Sequence, residues 1–193
     1  MRKCFCFQSV FALLLGLMAA PAPGQTVSLG EVVRDFSVVD RATGRPLRLS
    51  DFAGRIIVLD FFAQWCGPCR PASADLERNV RQYYVERGGN PARLPVIVIG
   101  INIDPSHPER TDDFVRHAGL ELAADDVNHE AFSLFNEKNA VPLTVVINGV
   151  AGVSGRKQWE LLYRKAGYEG AGTLRALIDS IRTSGPPPVE PRR

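Results

Sequence analysis

The 193-residue sequence has little cysteine, and this scarcity limits the kinds of site that it can form. Two of its four cysteines precede position 7, so only Cys66 and Cys69 remain for the rest of the chain. Structural zinc takes four ligands, usually two such pairs or one pair with histidines. Because there is no second pair, and the three histidines lie downstream without paired spacing, a zinc site is disfavoured.

A long hydrophobic run is also missing. The most apolar stretch, residues 10–20, is too short for a membrane-spanning helix, which needs about 20 residues. Extending it back to residue 5 adds two polar residues, Gln8 and Ser9. A retained membrane anchor formed by residues 5–20 is therefore the weaker of two interpretations of this region.

The stronger interpretation is a secretory signal peptide. Two basic residues precede the apolar stretch, and the small residues Ala22 and Gly24 suit a cleavage before Gln25. We therefore expect residues 1–24 to be removed on export and the mature protein to be periplasmic.

An excess of charge of one sign is absent as well. The sequence has 23 basic and 21 acidic residues, and loss of Arg2 and Lys3 with the signal peptide would leave 21 of each. The basic residues are scattered along the chain, so nothing indicates a nucleic-acid partner. Export would carry Cys66 and Cys69 into an oxidising compartment, where a plain structural disulfide could form.

What the sequence does contain is an ordered alternation of strand-like and helix-like patterns, in a length suited to one domain. Residues 25–34 form a lead-in, residues 35–183 carry the pattern of a domain, and the proline-rich residues 184–193 are expected to be a disordered tail. Two short β-type runs, Phe36–Val39 and Pro46–Leu49, flank a glycine-containing turn and predict a hairpin at the start of the domain.

Continuous apolar runs and helical spacing predict the remaining elements. The predicted strands cover residues 55–63, 96–103, 141–149 and 157–168, and the predicted helices cover residues 68–87, 108–119, 128–139 and 172–184. Asn128 is the expected N-cap of the third helix. The order of these elements predicts an α/β fold with a central mixed sheet flanked by helices.

The two remaining cysteines stand in the sequence WCGPC, at the junction of a predicted strand and a predicted helix. A bridge between Cys66 and Cys69 closes a very small loop, and a disulfide stabilises less when its loop is shorter, so a purely structural role is a weak explanation. A helix N-terminus instead presents unpaired N–H groups and partial positive charge to Cys66, which favours the thiolate that attacks disulfides. Pro68 fits the first helical turn, where its missing N–H costs nothing.

Asp60 interrupts a strand that is otherwise suited to burial on both faces. A buried, unpaired carboxylate has a raised pKa, as general acid–base chemistry near neutral pH requires. Because Asp60 stands six residues before Cys66, we expect it to take part in proton transfer. The alternative is a carboxylate at a sheet edge, or one that is paired with a basic residue.

Residues 59–70, LDFFAQWCGPCR, resemble the active-site segment of thioredoxins, including the aspartate before the first cysteine and the tryptophan beside it. The preceding hairpin pattern, and the inserted segment that ends in FNEKNAVPLTVVIN, are similar to the exported TlpA/ResA-type branch of that superfamily. The resemblance covers about residues 30–183. It implies a thioredoxin fold with an N-terminal β-hairpin extension and an inserted segment.

The resemblance also implies roles for individual residues. Cys66 would be the attacking thiol and Cys69 the resolving thiol, the two forming a redox disulfide. Asp60 would handle the proton of Cys69. The dipeptide between the cysteines, Gly67-Pro68, is that of thioredoxin itself, whereas many TlpA-type proteins carry another.

A second set of residues would shape the substrate site. Pro142, in AVPLT, matches the cis-proline that the family places beside the disulfide, where Val141 would offer its backbone to an extended substrate segment. A trans proline at the start of a strand is the alternative. Trp65 would lie on the docking surface, although an aromatic side chain there could simply pack.

These residues together predict an exported thiol–disulfide oxidoreductase, more specifically a reductase of protein disulfides, with no cofactor and no metal. Its expected partners are protein thiols and disulfides and a membrane thiol–disulfide electron donor. The resemblance to the family implies apocytochrome c or other exported cysteine-containing proteins as substrates. Three alternatives stay open: a thiol peroxidase of related fold, a copper- or metal-binding assembly factor that uses the two thiols with His129, and a binding domain stapled by the disulfide.

Overall fold

A mixed sheet lies at the centre of residues 26–183, the part of the chain that the computed structural model describes, and within this part it has seven strands. The strands are β1 (Ser37–Asp40), β2 (Pro46–Arg48), β3 (Ile56–Phe62), β4 (Val96–Asn102), β5 (Ala123–Asp125), β6 (Leu143–Asn148) and β7 (Glu160–Ala166). Their order across the sheet is β2-β1-β5-β4-β3-β6-β7. Strands β3, β4 and β5 run parallel, and the other neighbours pair antiparallel. The expected signal peptide and proline-rich tail lie outside the described residues.

Helices cover both faces of this sheet. They are α1 (Cys69–Leu76), α2 (Tyr83–Arg87), α3 (Pro108–Ala118), α4 (Glu130–Phe135) and α5 (Ala171–Ser180). A π-helical segment, Glu77–Gln82, joins α1 to α2, so the helix predicted over residues 68–87 is present but is not uniformly α-helical. A mixed sheet between two helical layers confirms the predicted fold class.

Strand β3 sends its side chains alternately into two hydrophobic cores, because successive residues of a strand point to opposite faces. Its odd-numbered residues, Ile57, Leu59 and Phe61, belong to the core that includes α4. The centroid of the Phe61 ring lies 5.6 Å from that of Phe132 and 5.8 Å from that of Phe135. This aromatic contact fixes α4 against one face of the sheet.

The even-numbered residues of β3 face the opposite core. Ile56 and Val58 pack there with Leu76 of α1 and Ile178 of α5. Asp60 is the next residue on this face and is fully buried. The alternation of β3 therefore places a carboxylate beneath the helix that begins at the second cysteine of the pair.

The predicted hairpin is present, and an unpredicted strand attaches it to the sheet. Strand β1 pairs with β2 on one side and with β5 on the other, and β5 pairs with β4. Strand β5 has only three residues, which is too short to produce a recognisable alternation. The hairpin thus extends the same sheet that carries β3 and β4.

The expected N-cap of α4 was wrong. Asn128 is exposed, and the carboxylate of the buried Asp126 instead accepts hydrogen bonds from the backbone N–H groups of Ala131, at 3.2 Å, and Phe132, at 2.7 Å. Burial raises the pKa of Asp126, although these backbone hydrogen bonds oppose the shift. A cap that reaches from five residues away could not be recognised from local spacing.

Replacement of Asp126 by alanine is therefore expected to destabilise the protein by roughly 1–2 kcal/mol or more, since it removes the acceptor of two buried N–H groups. Asn128→Ala, in the same loop, is the matched control and should change the free energy of unfolding little. Urea unfolding followed by far-UV circular dichroism measures both. Equal losses in the two variants would contradict the assignment of the cap to Asp126.

Candidate active site

Cys66 and Cys69 form a disulfide at the N-terminal end of α1, with an S–S distance of 2.05 Å and a Cα–Cα distance of 5.3 Å. Cys69 is the first residue of α1 and is fully buried, whereas Cys66 precedes the helix and retains 4% of its surface exposed. Gly67 and Pro68 lie between them and are exposed. Of the two sulfurs, that of Cys66 is therefore the one closer to solvent.

The local electrostatics at Cys66 come from the helix that follows it. The first turn of an α-helix has N–H groups without intrahelical acceptors and carries partial positive charge. Pro68 has a φ of −69°, already in the helical region, and directly precedes α1. When the pair is reduced, this environment favours the thiolate form of Cys66.

An apolar cluster supports the disulfide from below. Cys66 and Cys69 pack with Phe62, the last residue of β3, and with Phe114 of α3. The two phenylalanine rings stack with their centroids 4.3 Å apart, and the guanidinium of Arg70 lies 5.5 Å from the centroid of Phe114. The two cysteines are therefore packed against buried aromatic side chains. The positively charged Arg70 follows Cys69 in the sequence and lies over the Phe114 ring.

The segment that leads into β6 lies against the disulfide. The Val141–Pro142 peptide bond is cis, which confirms the expected isomer and excludes the trans alternative. The sulfur of Cys66 is 3.7 Å from the carbonyl oxygen of Val141. Antiparallel pairing of β3 with β6, in which Phe61 faces Leu143, brings these residues together from distant parts of the chain.

Trp65 is 63% exposed, so its ring is largely presented to solvent rather than packed. Its indole N–H donates to Oδ2 of Asp104 at 2.9 Å, and the amide of Gln64 donates to the same oxygen at 3.2 Å. A hydrogen bond from the hydroxyl of Ser106, and to a lesser degree the one from Trp65, lowers the pKa of Asp104. This carboxylate orients the exposed ring.

Asp104 was missed by the sequence analysis, although a signal for it existed. It follows β4, and β4 runs parallel to β3, which leads into the cysteine pair. The carboxyl ends of parallel neighbouring strands meet at the same edge of a sheet. A polar residue just after β4 is therefore expected near the cysteine pair. This expectation requires knowing that β4 is the neighbour of β3.

Asp60 is fully buried in the middle of the sheet, between Gly100 of β4 and Thr144 of β6. Its Oδ2 accepts a hydrogen bond from the hydroxyl of Ser73 at 2.5 Å, and its Oδ1 has no hydrogen-bond partner among the described residues. Burial raises the pKa of Asp60 to about 7, against a smaller opposing effect of the Ser73 hydrogen bond. The edge-strand alternative is excluded, since β3 has a neighbour on each side.

Helix α1 links this carboxylate to the cysteine pair. Cys69 and Ser73 are four residues apart, so their side chains lie on the same face of the helix. Both are fully buried, and Ser73 contacts Asp60 directly. The carboxylate therefore belongs to the same buried region as the sulfur of Cys69.

Two other expectations concern features outside this centre. His129 lies at the start of α4, with a φ of 54°, and no group of three or more His, Cys, Asp or Glu side chains within residues 26–183 is arranged to hold a metal ion. Within the same residues, no helix has the length and apolar character needed to cross a membrane.

Comparison with known proteins places these features in a family. The AhpC/TSA family matches residues 29–153 of the chain. A thioredoxin of Chlamydia pneumoniae is 41% identical over 101 residues, which cover 51% of this chain and 86% of that protein.

Solved structures with the same fold share less of the sequence. A protein of Chlorobium tepidum described as the thiol:disulfide interchange protein DsbE superposes with a TM-score of 0.62 at 22% identity, covering 79% of this chain and 96% of that one. A DsbF homologue of Corynebacterium diphtheriae gives a TM-score of 0.60 at 23% identity, covering 92% and 99% of the two chains. At these identities the likeness establishes the fold.

The buried charge leads to a prediction about stability. Because the pKa of Asp60 is about 7 in the folded protein against an ordinary value of 3.8, the folded state binds this proton more tightly and loses stability as the pH rises from about 4 to about 7. Asp60→Asn removes this loss. The free energy of unfolding of the oxidised variant should therefore exceed that of the unchanged protein by about 2–4 kcal/mol at pH 8 and by little at pH 4. Urea unfolding at both pH values measures the difference.

Glu109→Gln provides the control for this experiment. Glu109 is an exposed acid in the first turn of α3, and its replacement should leave the pH dependence of stability as it is in the unchanged protein. A pH dependence in Asp60→Asn equal to that of the unchanged protein would show that Asp60 does not titrate in this range.

Proposed function

The chain belongs to the AhpC/TSA family and is a thiol–disulfide oxidoreductase of thioredoxin fold, and we propose that it acts as an exported reductase of protein disulfides. The observation that carries this proposal is the Cys66–Cys69 disulfide at the start of α1, above a buried carboxylate. A structural staple needs neither a helix N-terminus nor a titratable group beneath it. A dithiol that cycles uses both.

In the first step, the Cys66 thiolate of the reduced protein attacks one sulfur of a partner disulfide. A bond forms between Cys66 and that sulfur, the partner S–S bond breaks, and the other partner sulfur leaves as a thiolate. Cys66 takes this role because it is the more exposed cysteine and precedes the positive end of α1. The product is a mixed disulfide.

In the second step, Cys69 resolves the mixed disulfide. Its thiol loses a proton to the ionised Asp60, and the resulting thiolate attacks the sulfur of Cys66. The Cys66–partner bond breaks and the second partner sulfur leaves as a thiolate. Two electrons have then passed to the partner, and Cys66 and Cys69 are joined as in the structure described above.

The surface around Cys66 suits an extended polypeptide. The Val141 backbone lies beside the sulfur, and Pro142 holds the segment in its cis form. Trp65, oriented by Asp104, adds an exposed apolar side chain next to Cys66 in the sequence. In this proposal the partner strand pairs with the Val141 backbone and its disulfide reaches Cys66.

An exported reductase must be reduced again after each turnover. The signal-peptide pattern of residues 1–24 supports export into an oxidising compartment, where a membrane thiol–disulfide donor would return two electrons to Cys66 and Cys69. Protein disulfides of exported chains, including apocytochrome c, are the proposed substrates. The thiol:disulfide interchange described for the Chlorobium tepidum protein supports this class of substrate.

The first test follows the two cysteines separately. Cys66→Ser and Cys69→Ser should each abolish turnover of insulin disulfides, because each step needs one of the thiols. Only Cys69→Ser should accumulate a mixed disulfide with the substrate, detected by non-reducing gel electrophoresis and mass spectrometry. Accumulation by Cys66→Ser instead would reverse the assigned roles.

Assays of the reduced protein with both cysteines present distinguish a reductase from the three alternatives. A thiol peroxidase would consume hydrogen peroxide far faster than it reduces insulin. A metal-binding factor would bind Cu(I) through the reduced pair and would not reduce insulin. A binding domain in which the disulfide is only structural would not reduce insulin, whether its cysteine pair is reduced or oxidised. Any of these results would overturn the reductase assignment.

The second test concerns Asp60. As the proton acceptor it must be ionised, so the rate of the resolving step should rise as the pH increases through about 7. Asp60→Asn should lower that rate by about 100-fold at pH 7.5 and remove this pH dependence. Stopped-flow decay of a preformed mixed disulfide measures the step, with Glu109→Gln as the control. A wild-type pH profile in Asp60→Asn would exclude the role.

A further inference from the structure

We propose that Ser73 is a positioning residue that holds Asp60 through its Oδ2 and leaves Oδ1 as the oxygen that takes the proton. The use of this arrangement in resolving the mixed disulfide rests on the proposed function. The arrangement itself is carried by three observations: the contact of Ser73 with Asp60, the surroundings of the second carboxylate oxygen, and the pairing of the nearby charges.

The contact is short, buried and formed by side chains alone. The Ser73 hydroxyl donates to Oδ2 of Asp60 at 2.5 Å, and both residues are fully buried. Serine is a weaker helix former than alanine because its hydroxyl competes with the backbone for hydrogen bonds. A serine at an interior position of α1 that faces the core is thus best explained by its hydrogen bond to the carboxylate.

The neighbouring strands leave no other side-chain donor in contact with Asp60 among the described residues. On β4 its partner is Gly100, which has no side chain, and a Cβ there would lie 2.7 Å from Leu120 Cδ1 and require Leu120 to shift. On β6 its partner is Thr144, whose hydroxyl oxygen is buried and has no hydrogen-bond partner in the described part of the chain. Oδ1 of Asp60 therefore keeps its lone pairs unused.

The other titratable side chains near Asp60 are hydrogen-bonded or ion-paired to each other and not to Asp60. The Tyr168 hydroxyl donates to Oδ2 of Asp75 at 2.5 Å. Burial, this bond and the charges of Asp75 and Asp60 raise the pKa of Tyr168, so the phenol stays neutral. Lys165, the partner of Thr144 on β7, bonds to Glu169 at 2.8 Å near the surface.

Cys69 is the titratable side chain that shares this face of α1 with Ser73, and it does not titrate while it is in the disulfide. The oxidised protein therefore isolates the ionisation of Asp60 from that of the thiols. With Tyr168 neutral and Lys165 paired, the Ser73 hydroxyl is the group that stabilises the Asp60 anion by direct contact. Its removal should make ionisation harder, which raises the pKa of Asp60.

The experiment is a ¹³C NMR titration of the oxidised protein labelled at aspartate carboxyl carbons, with the Asp60 signal assigned from Asp60→Asn. Ser73→Ala should shift the midpoint of Asp60 upward by about one to two pH units. Ser73→Thr keeps the hydroxyl and should restore most of the original midpoint. Thr144→Val removes the buried hydroxyl of the residue that is paired with Asp60 on β6 but is not bonded to it, and this change should leave the midpoint unchanged.

An unchanged midpoint in Ser73→Ala overturns the proposal. An equal shift in Thr144→Val also overturns it, because it would indicate an effect of general polarity around Asp60 rather than a specific bond. Should Ser73→Thr not fold, the comparison of Ser73→Ala with Thr144→Val still decides. These results do not depend on turnover. A failure of the proposed function would show separately, as unchanged resolution of the mixed disulfide in Asp60→Asn.

Discussion

The burial of the Asp60 carboxylate in β3 is the constraint on which the rest of the site depends. Both neighbours of this strand are hydrogen-bonded to it and both of its faces are covered, so the charge cannot reach water. Burying an unpaired charge is costly, and proteins usually neutralise or pair it. Within residues 26–183 the carboxylate has one hydrogen bond, from Ser73, and its pKa rises to about 7. In the mechanism that we propose, this carboxylate is the proton acceptor, and a pKa of about 7 lets it change protonation near neutral pH.

The pairing of β3 with its two neighbouring strands brings the other residues of the site together. The parallel pairing of β3 with β4 places Asp104 beside Trp65, and the antiparallel pairing of β3 with β6 places Val141 beside Cys66. Helix α1 then spans from the disulfide to Ser73, above the carboxylate. Each contact joins segments that are distant in sequence, and all of them depend on the position of β3 between its two neighbours. At the same edge, the stacked rings of Phe62 and Phe114 pack against the two cysteines.

The sequence predicts the parts of this site that are local. WCGPC, the aspartate six residues earlier and the proline of AVPLT are recognisable in one dimension, as are the hairpin and the long apolar strands. Asp104, Ser73 and Thr144 could not be assigned in this way, because their importance depends on register and strand order. Strand β5 was missed because its three residues are too few to show an alternating pattern. The cap predicted at Asn128 was wrong because the group that accepts the N–H hydrogen bonds, the carboxylate of Asp126, lies farther from the helix in the sequence. The π-helical segment after α1 has no signal in the spacing of its apolar residues.

In the proposed function the cysteine pair donates electrons to protein disulfides, and the reduction potential of the Cys66–Cys69 couple decides whether it can. The mature domain would be equilibrated with defined ratios of reduced and oxidised thiol buffer at pH 7, and the fraction of dithiol measured by alkylation and mass spectrometry. A reductase predicts a value near that of thioredoxin, about −270 mV. A value near that of DsbA, about −120 mV, would contradict the account and make the protein an oxidant of exported thiols.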